Sequence, residues 1–213
     1  MDVRKLKMGT QAVFSEPCPL TGSHVRPIYQ TSTFIFDNVE QGAKRFAGEE
    51  EGYIYTRLGN PTITDFEKKM ALLERGEAAA AFGSGMGAIT APIMALVSAG
   101  DHIVAAKTLY GCTHAFLSHL IKRYGVETTF VDATDVNNIE AAMKPNTKLV
   151  YVESPANPNM ALVDLAAAAE IAHRHGAKVV VDNTFMTPYW QRPLELGCDV
   201  VVHSATKYIG GHG

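Results

Sequence analysis

Val179-Val-Val-Asp-Asn-Thr-Phe185 and Val200-Val-Val-His-Ser-Ala-Thr-Lys207 carry the reading of the fold. Each sets three consecutive valines ahead of a run of mostly polar residues. A strand with one wet face alternates apolar and polar residues. An unbroken apolar run instead belongs to a strand buried on both faces, as in a parallel sheet covered by helices. Runs of the same kind stand at 79–82, 103–106, 128–131 and 149–152. Helical spacing fills the gaps at 86–97, 113–124, 136–143 and 165–175. Gly100, Gly125 and Gly176 stand where such helices end, and Asp135 and Asp164 where two of them start. Six strand-like runs joined by helices predict βαβ units and an α/β fold with a mainly parallel sheet.

Upstream of this pattern, Thr64 and Glu67 have capping-box spacing, and Phe66, Met70 and Leu73 form an apolar stripe ending at Gly76. Residues 1–62 read differently. They hold Pro17, Pro19, Pro27 and Pro61, and only 39–46 has a helical pattern. The expected organisation is an extended arm over 1–62, lying on a neighbouring subunit, followed by one large domain over 63–213. Disorder of the arm is the alternative.

Composition narrows the function classes. The chain has 213 residues, 46% of them hydrophobic, and a formal net charge of −3, which gives no reason to expect nucleic-acid or anionic-membrane binding. Cys18, Cys112 and Cys198 have no CxxC spacing, so neither a disulfide framework nor a zinc knuckle is expected. Residues 1–10 lack the apolar core of a signal peptide, and the apolar stretch 88–99 is interrupted and too short to span a bilayer. A cytoplasmic setting is expected. The eight histidines show no metal-ligand spacing. Gly210-Gly-His-Gly213 resembles no finished C-terminal element, so a fragment of a longer chain is expected.

Open α/β sheets bind ligands beyond the carboxyl ends of their strands. Residues leaving the strands are therefore the candidates. Gly83-Ser-Gly-Met-Gly87 opens a helix, where backbone N–H groups and the helix dipole suit an anion such as phosphate; Ser84, Ser204 and Thr206 add hydroxyl donors. Gly83, Gly85 and Ala88 also match a GxGxxA dinucleotide fingerprint, which keeps a nicotinamide enzyme as a rival. That rival needs an acidic residue ending the next strand, where Lys107-Thr-Leu-Tyr110 stands instead. Asp182 and Lys207 follow the two valine runs, 25 residues apart. An aspartate at that depth needs a cation. A pyridinium nitrogen is one, and keeping it protonated makes the ring an electron sink. A desolvated lysine is an amine nucleophile able to form an imine. The plainer alternatives are that Asp182 caps a helix or pairs with Lys207 directly. Tyr110 is placed to stack on a ring, and Tyr55 and Arg57 look like anion binders reaching a neighbouring subunit.

Together the strings YIYTRLGNPT (53–62), GSGMGAI (83–89), YGCTHAF (110–116), ESPANP (153–158), VVDNTF (180–185) and HSATKYIGGHG (203–213) resemble the pyridoxal 5′-phosphate (PLP)-dependent enzymes of cysteine and methionine metabolism. The resemblance implies the aspartate-aminotransferase-like type I fold, with a mainly parallel seven-stranded sheet sandwiched by helices. It implies a homotetramer built from two tight dimers. Lys207 becomes the Schiff-base lysine and Asp182 the partner of the pyridine nitrogen. Tyr110 stacks on the ring and protonates the leaving group. Gly85, Met86, Ser204 and Thr206 hold the phosphate, joined by Tyr55 and Arg57 from the adjacent subunit, and Asn157 lies near the phenolic oxygen. Cys112 after Tyr-Gly resembles the methionine gamma-lyase branch, which implies α,γ-elimination of L-methionine to methanethiol, 2-oxobutanoate and ammonia. Cystathionine gamma-lyase, cystathionine gamma-synthase and O-acetylhomoserine sulfhydrylase activities stay open. Family members continue into a smaller C-terminal domain that supplies the arginine for the substrate carboxylate; no such arginine follows Lys207 here.

Overall fold

A computed structural model describes residues 2–14, 17–18 and 21–212; Pro19 of the expected arm and the final Gly213 lie outside them. The chain divides into two compact units, Met1–Ala81 and Phe82–Gly213.

The second unit is built on five strands: β1 (His102–Ala106), β2 (Glu127–Val131), β3 (Thr147–Glu153), β4 (Lys178–Asp182) and β5 (Val200–Val202). All neighbours pair parallel, in the order β2-β1-β3-β4-β5. The α/β class and the parallel sheet are as the sequence predicts, but the described residues of this chain supply five strands rather than seven. Residues 79–82 form no strand. The backbone N–H of Ala81 donates to Glu67 Oε1 at 2.8 Å instead of to a neighbouring strand. Three alanines also offer a sheet little side chain to pack.

The three central strands hold the core. β1 is buried throughout, and β3 and β4 are buried except at Lys148 and Lys178. The second valine run behaves differently from the first. β5 lies at the edge of the sheet, and Val200 and Val201 are only half-buried. At the other end of the strands, His102 is fully buried. It hydrogen-bonds Thr147 Oγ1 and Thr129 Oγ1, both at 2.8 Å, which ties β1 to the middle of β2 and the start of β3. Burial lowers its pKa, so it is neutral at physiological pH.

Helix α4 (Gly85–Leu96) precedes β1, and α5 (Gly111–Ala115), α6 (Val136–Ala142), α7 (Leu165–Arg174) and α8 (Thr187–Trp190) lie between successive strands. Asp135 and Asp164 cap α6 and α7 as predicted, accepting backbone N–H bonds at 3.0 Å. The helix expected over 113–124 has three parts: α5, a π-helical turn at Phe116–Leu120 and a 3-10 turn at Ile121–Tyr124. Register places the ends of β3, β4 and β5 level: Glu153 pairs with Asp182, and Asp182 with Val202. Residues leaving these strands therefore start from one rim.

In the first unit, α1 (Met8–Val13) and a 3-10 turn at Val3–Lys5 join the expected short helix α2 (Val39–Ala47), so this segment has more regular structure than an arm with one helix. Helix α3 spans Pro61–Glu74. It starts three residues before Thr64, because Asn60 accepts the N–H of Thr62 at 2.9 Å and Pro61 brings a helical φ to the first position. Thr33 and Tyr55 form an antiparallel bridge, and Asn60 Nδ2 donates to Tyr29 O at 3.0 Å, so the proline-rich segment folds back on itself. Among the described residues no helix is long and apolar enough to cross a membrane.

Candidate active site

Asp182 ends β4 and is 5% exposed. Its Oδ1 accepts both the backbone N–H of Thr184 at 3.0 Å and the Thr184 hydroxyl at 2.5 Å. Thr184 Oγ1 in turn accepts the N–H of Ser204 at 2.9 Å. Burial pushes the Asp182 carboxyl above its usual range, and the two Thr184 bonds and the charge of His203 work against that rise. No hydrogen bond among the described residues ends on Oδ2. No ion pair joins Asp182 to Lys207. A buried carboxylate with one oxygen held and the other unengaged is set to take a cationic donor.

The glycine turn meets the exit of β5. A Cβ on Gly85 would stand 2.8 Å from both Cβ and Oγ of Ser204, so only glycine permits this approach. Ser84 caps α4, accepting the N–H of Gly87 at 3.0 Å, which uses its hydroxyl for the helix. The first N–H groups of the helix, on Gly85 and Met86, have no intrahelical acceptor. Met86 Sδ accepts a long bond from Thr113 Oγ1 at 3.9 Å. Thr206 and Lys207 lie on an exposed turn after β5, where the Lys207 N–H donates to Ser204 O at 3.2 Å. A Cβ on Gly210 would strike the Ala205 carbonyl oxygen, so that turn is tight.

Tyr110 precedes α5 and is 42% exposed. The Cys112 thiol donates to its hydroxyl at 3.5 Å and, as the main cause, raises the phenol above its ordinary pKa. The Tyr110 N–H donates to Glu153 Oε2 at 2.7 Å, and the Asn157 N–H to Glu153 Oε1 at 2.9 Å. The structure thus joins Asp182 with Ser204 and Gly85, and Tyr110 with Cys112 and Asn157. Tyr55 and Arg57 belong to the first unit, where the Arg57 guanidinium lies 4.8 Å over the Tyr55 ring.

Thr184 and Glu153 are the connecting residues that spacing alone does not reveal. Both follow or end a strand, but each acts through hydrogen bonds to segments 20 and 43 residues away in the chain. No local sequence signal marks such a bond.

These groups fit a ligand with a phosphate at one end and a protonated ring nitrogen at the other. The Gly85 approach opens a cradle at a helix N-terminus, and the Asp182 Oδ2 suits the nitrogen. Comparison with known proteins bears on the same point. The sequence profile of the Cys/Met metabolism PLP-dependent enzymes matches residues 9–213. The chain belongs to this family. Its relatives include L-methionine gamma-lyase of Treponema denticola, 64% identical over 194 residues, which are 90% of this chain and 48% of the relative. L-methionine gamma-lyase of Porphyromonas gingivalis is 65% identical over 193 residues, with the same shares. Among solved structures, the metY protein of Campylobacter jejuni carries N′-pyridoxyl-lysine-5′-monophosphate. It matches with a TM-score of 0.92 at 34% identity, covering 98% of this chain and 52% of that one. The chain spans about half the length of the curated relatives it matches. The family's cofactor is PLP.

Proposed function

We propose that the protein bearing this chain is a carbon–sulfur lyase that eliminates methanethiol from L-methionine. The observation that carries the reading is the Tyr110–Cys112 pair, a phenol and a thiol hydrogen-bonded at 3.5 Å. It is supported by 64–65% identity to two L-methionine gamma-lyases. In this reading Lys207 is the residue to which PLP attaches. Asp182 faces the pyridine nitrogen, and Tyr110 faces the ring. Gly85, Met86, Ser204 and Thr206 hold the phosphate, with Tyr55 and Arg57 of a neighbouring copy, and Asn157 serves the phenolic oxygen. When bound, PLP supplies an electron sink for negative charge developing beside the substrate's amino group.

The chain's own residues do the rest. The Lys207 amine takes the α-proton of methionine and moves protons along the side chain. The Tyr110 hydroxyl gives its proton to the departing sulfur, and Cys112 stands beside it where that sulfur leaves. Water then completes the balance: methionine and water give methanethiol, 2-oxobutanoate and ammonia. Residues 1–62 are read as an arm serving the adjacent subunit of a homotetramer, residues 63–213 as the PLP-binding domain, and the cytoplasm as the setting.

The test is product analysis. A chain extended to the length of its relatives is expected to release equal amounts of methanethiol and 2-oxobutanoate from L-methionine, faster than it turns over cystathionine. Turnover of cystathionine or O-acetylhomoserine with no methanethiol from methionine would assign the protein to a sister activity.

A further inference from the structure

We propose that Glu153 is a positioning residue, a carboxylate that sets the Tyr110 and Asn157 segments against each other at the rim of the site. The inference rests on the lyase reading above, in which those two residues meet the cofactor. Glu153 is the last residue of β3 and is 6% exposed. A glutamate there is costly unless its charge is satisfied. Among the described residues no cation pairs with it; instead each oxygen accepts one backbone N–H, from Tyr110 at 2.7 Å and from Asn157 at 2.9 Å. The donors lie 47 residues apart in sequence, one ahead of α5 and the other in the segment after β3. The two oxygens of one side chain, fixed at the end of a central strand, hold both at once. Burial raises the Glu153 pKa and the two N–H bonds oppose the rise, so the ionised form is the one these donors favour.

The side chains so placed do different work, but their backbones share one anchor. Loss of the anchor is expected to act on the site before it acts on the fold. The sheet register around Glu153 is made by backbone pairing with β4, which a side-chain change leaves in place.

The experiment compares Glu153→Gln and Glu153→Ala with wild type. Glutamine keeps the shape but offers one acceptor oxygen and an NH2 group, so at most one of the two bonds survives. Hydrogen exchange is read in the cofactor-free chain at Tyr110 and Asn157, with Val150 and Val180 reporting the sheet. Exchange about tenfold faster at one or both rim amides is expected, the effect of losing a bond to a charged acceptor, with the valines unchanged. In the extended, PLP-loaded protein the visible circular dichroism of the cofactor is expected to weaken, and kcat to fall more than KM rises. Unchanged exchange at both rim amides in both variants overturns the anchor. Faster exchange with unaltered cofactor dichroism and unaltered kcat overturns the positioning role. A wild-type protein that takes up no PLP overturns the lyase reading itself, and with it any role toward the cofactor, and is distinguished because it appears without any substitution.

Discussion

Lys207→Ala is expected to remove every borohydride-stable PLP adduct from the protein, and Lys207→Arg to do the same, since a guanidinium keeps the charge but is no amine nucleophile. Turnover of the extended chain is expected to fall by about 10²–10⁴-fold, the range for losing a positioned proton-transfer group. The fold should not respond. Lys207 is exposed, and the hydrogen bonds it makes use only its backbone N–H and carbonyl. Its replacement is therefore expected to shift stability by no more than about 0.5 kcal/mol. Mass analysis after borohydride reduction, set beside a thermal melt, reads both outcomes. An adduct that persists on another residue would remove Lys207 from its role.

Asp182→Asn should separate stability from binding. In the cofactor-free protein, burial raises the Asp182 pKa, so ionising this carboxyl costs folding free energy. That cost is absent below the ordinary carboxyl value of 3.8 and grows as pH rises through the higher folded value. Asparagine has no charge to bury, and its carbonyl oxygen can still accept the two Thr184 bonds. At pH 7 the cofactor-free variant is therefore expected to be at least as stable as wild type, with the difference closing at acid pH. PLP binding should move the other way. Removing one partner of a buried ion pair costs about 3 kcal/mol or more, roughly a hundredfold in affinity. Denaturation at several pH values and PLP titration together decide the matter. A variant that is less stable at pH 7 and yet binds PLP normally would show that Asp182 serves the fold rather than the cofactor.

Much of the fold and of the site is legible in the amino-acid sequence. The first valine run reads correctly as a strand buried on both faces, and it has strands on each side as well. The second run is identical in composition yet lies at an edge, and sequence cannot distinguish the two because burial depends on what pairs alongside. Residues 79–82 look like a strand in apolar content, but Glu67 captures the Ala81 amide. Thr64 and Glu67 imitate a capping box, while the actual cap is Asn60 with Pro61 behind it, an equally readable signal three residues earlier. The candidate residues themselves are found by asking what leaves each strand, since a parallel sheet delivers all its carboxyl ends to one side. Their linkage through Thr184 and Glu153 is not found that way, because hydrogen bonds between distant segments leave no periodicity.

The edge position of β5 has a consequence for how the protein comes apart. Opening free energies differ across a fold, and are smallest where few apolar groups are buried. Asp182 ends a strand flanked on both sides, whereas Lys207 follows a three-residue strand paired on one side, in which Val200 and Val201 are half-buried. In this 213-residue chain the segment bearing Lys207 is therefore expected to open on heating before the strand bearing Asp182, which residue-by-residue hydrogen exchange would read.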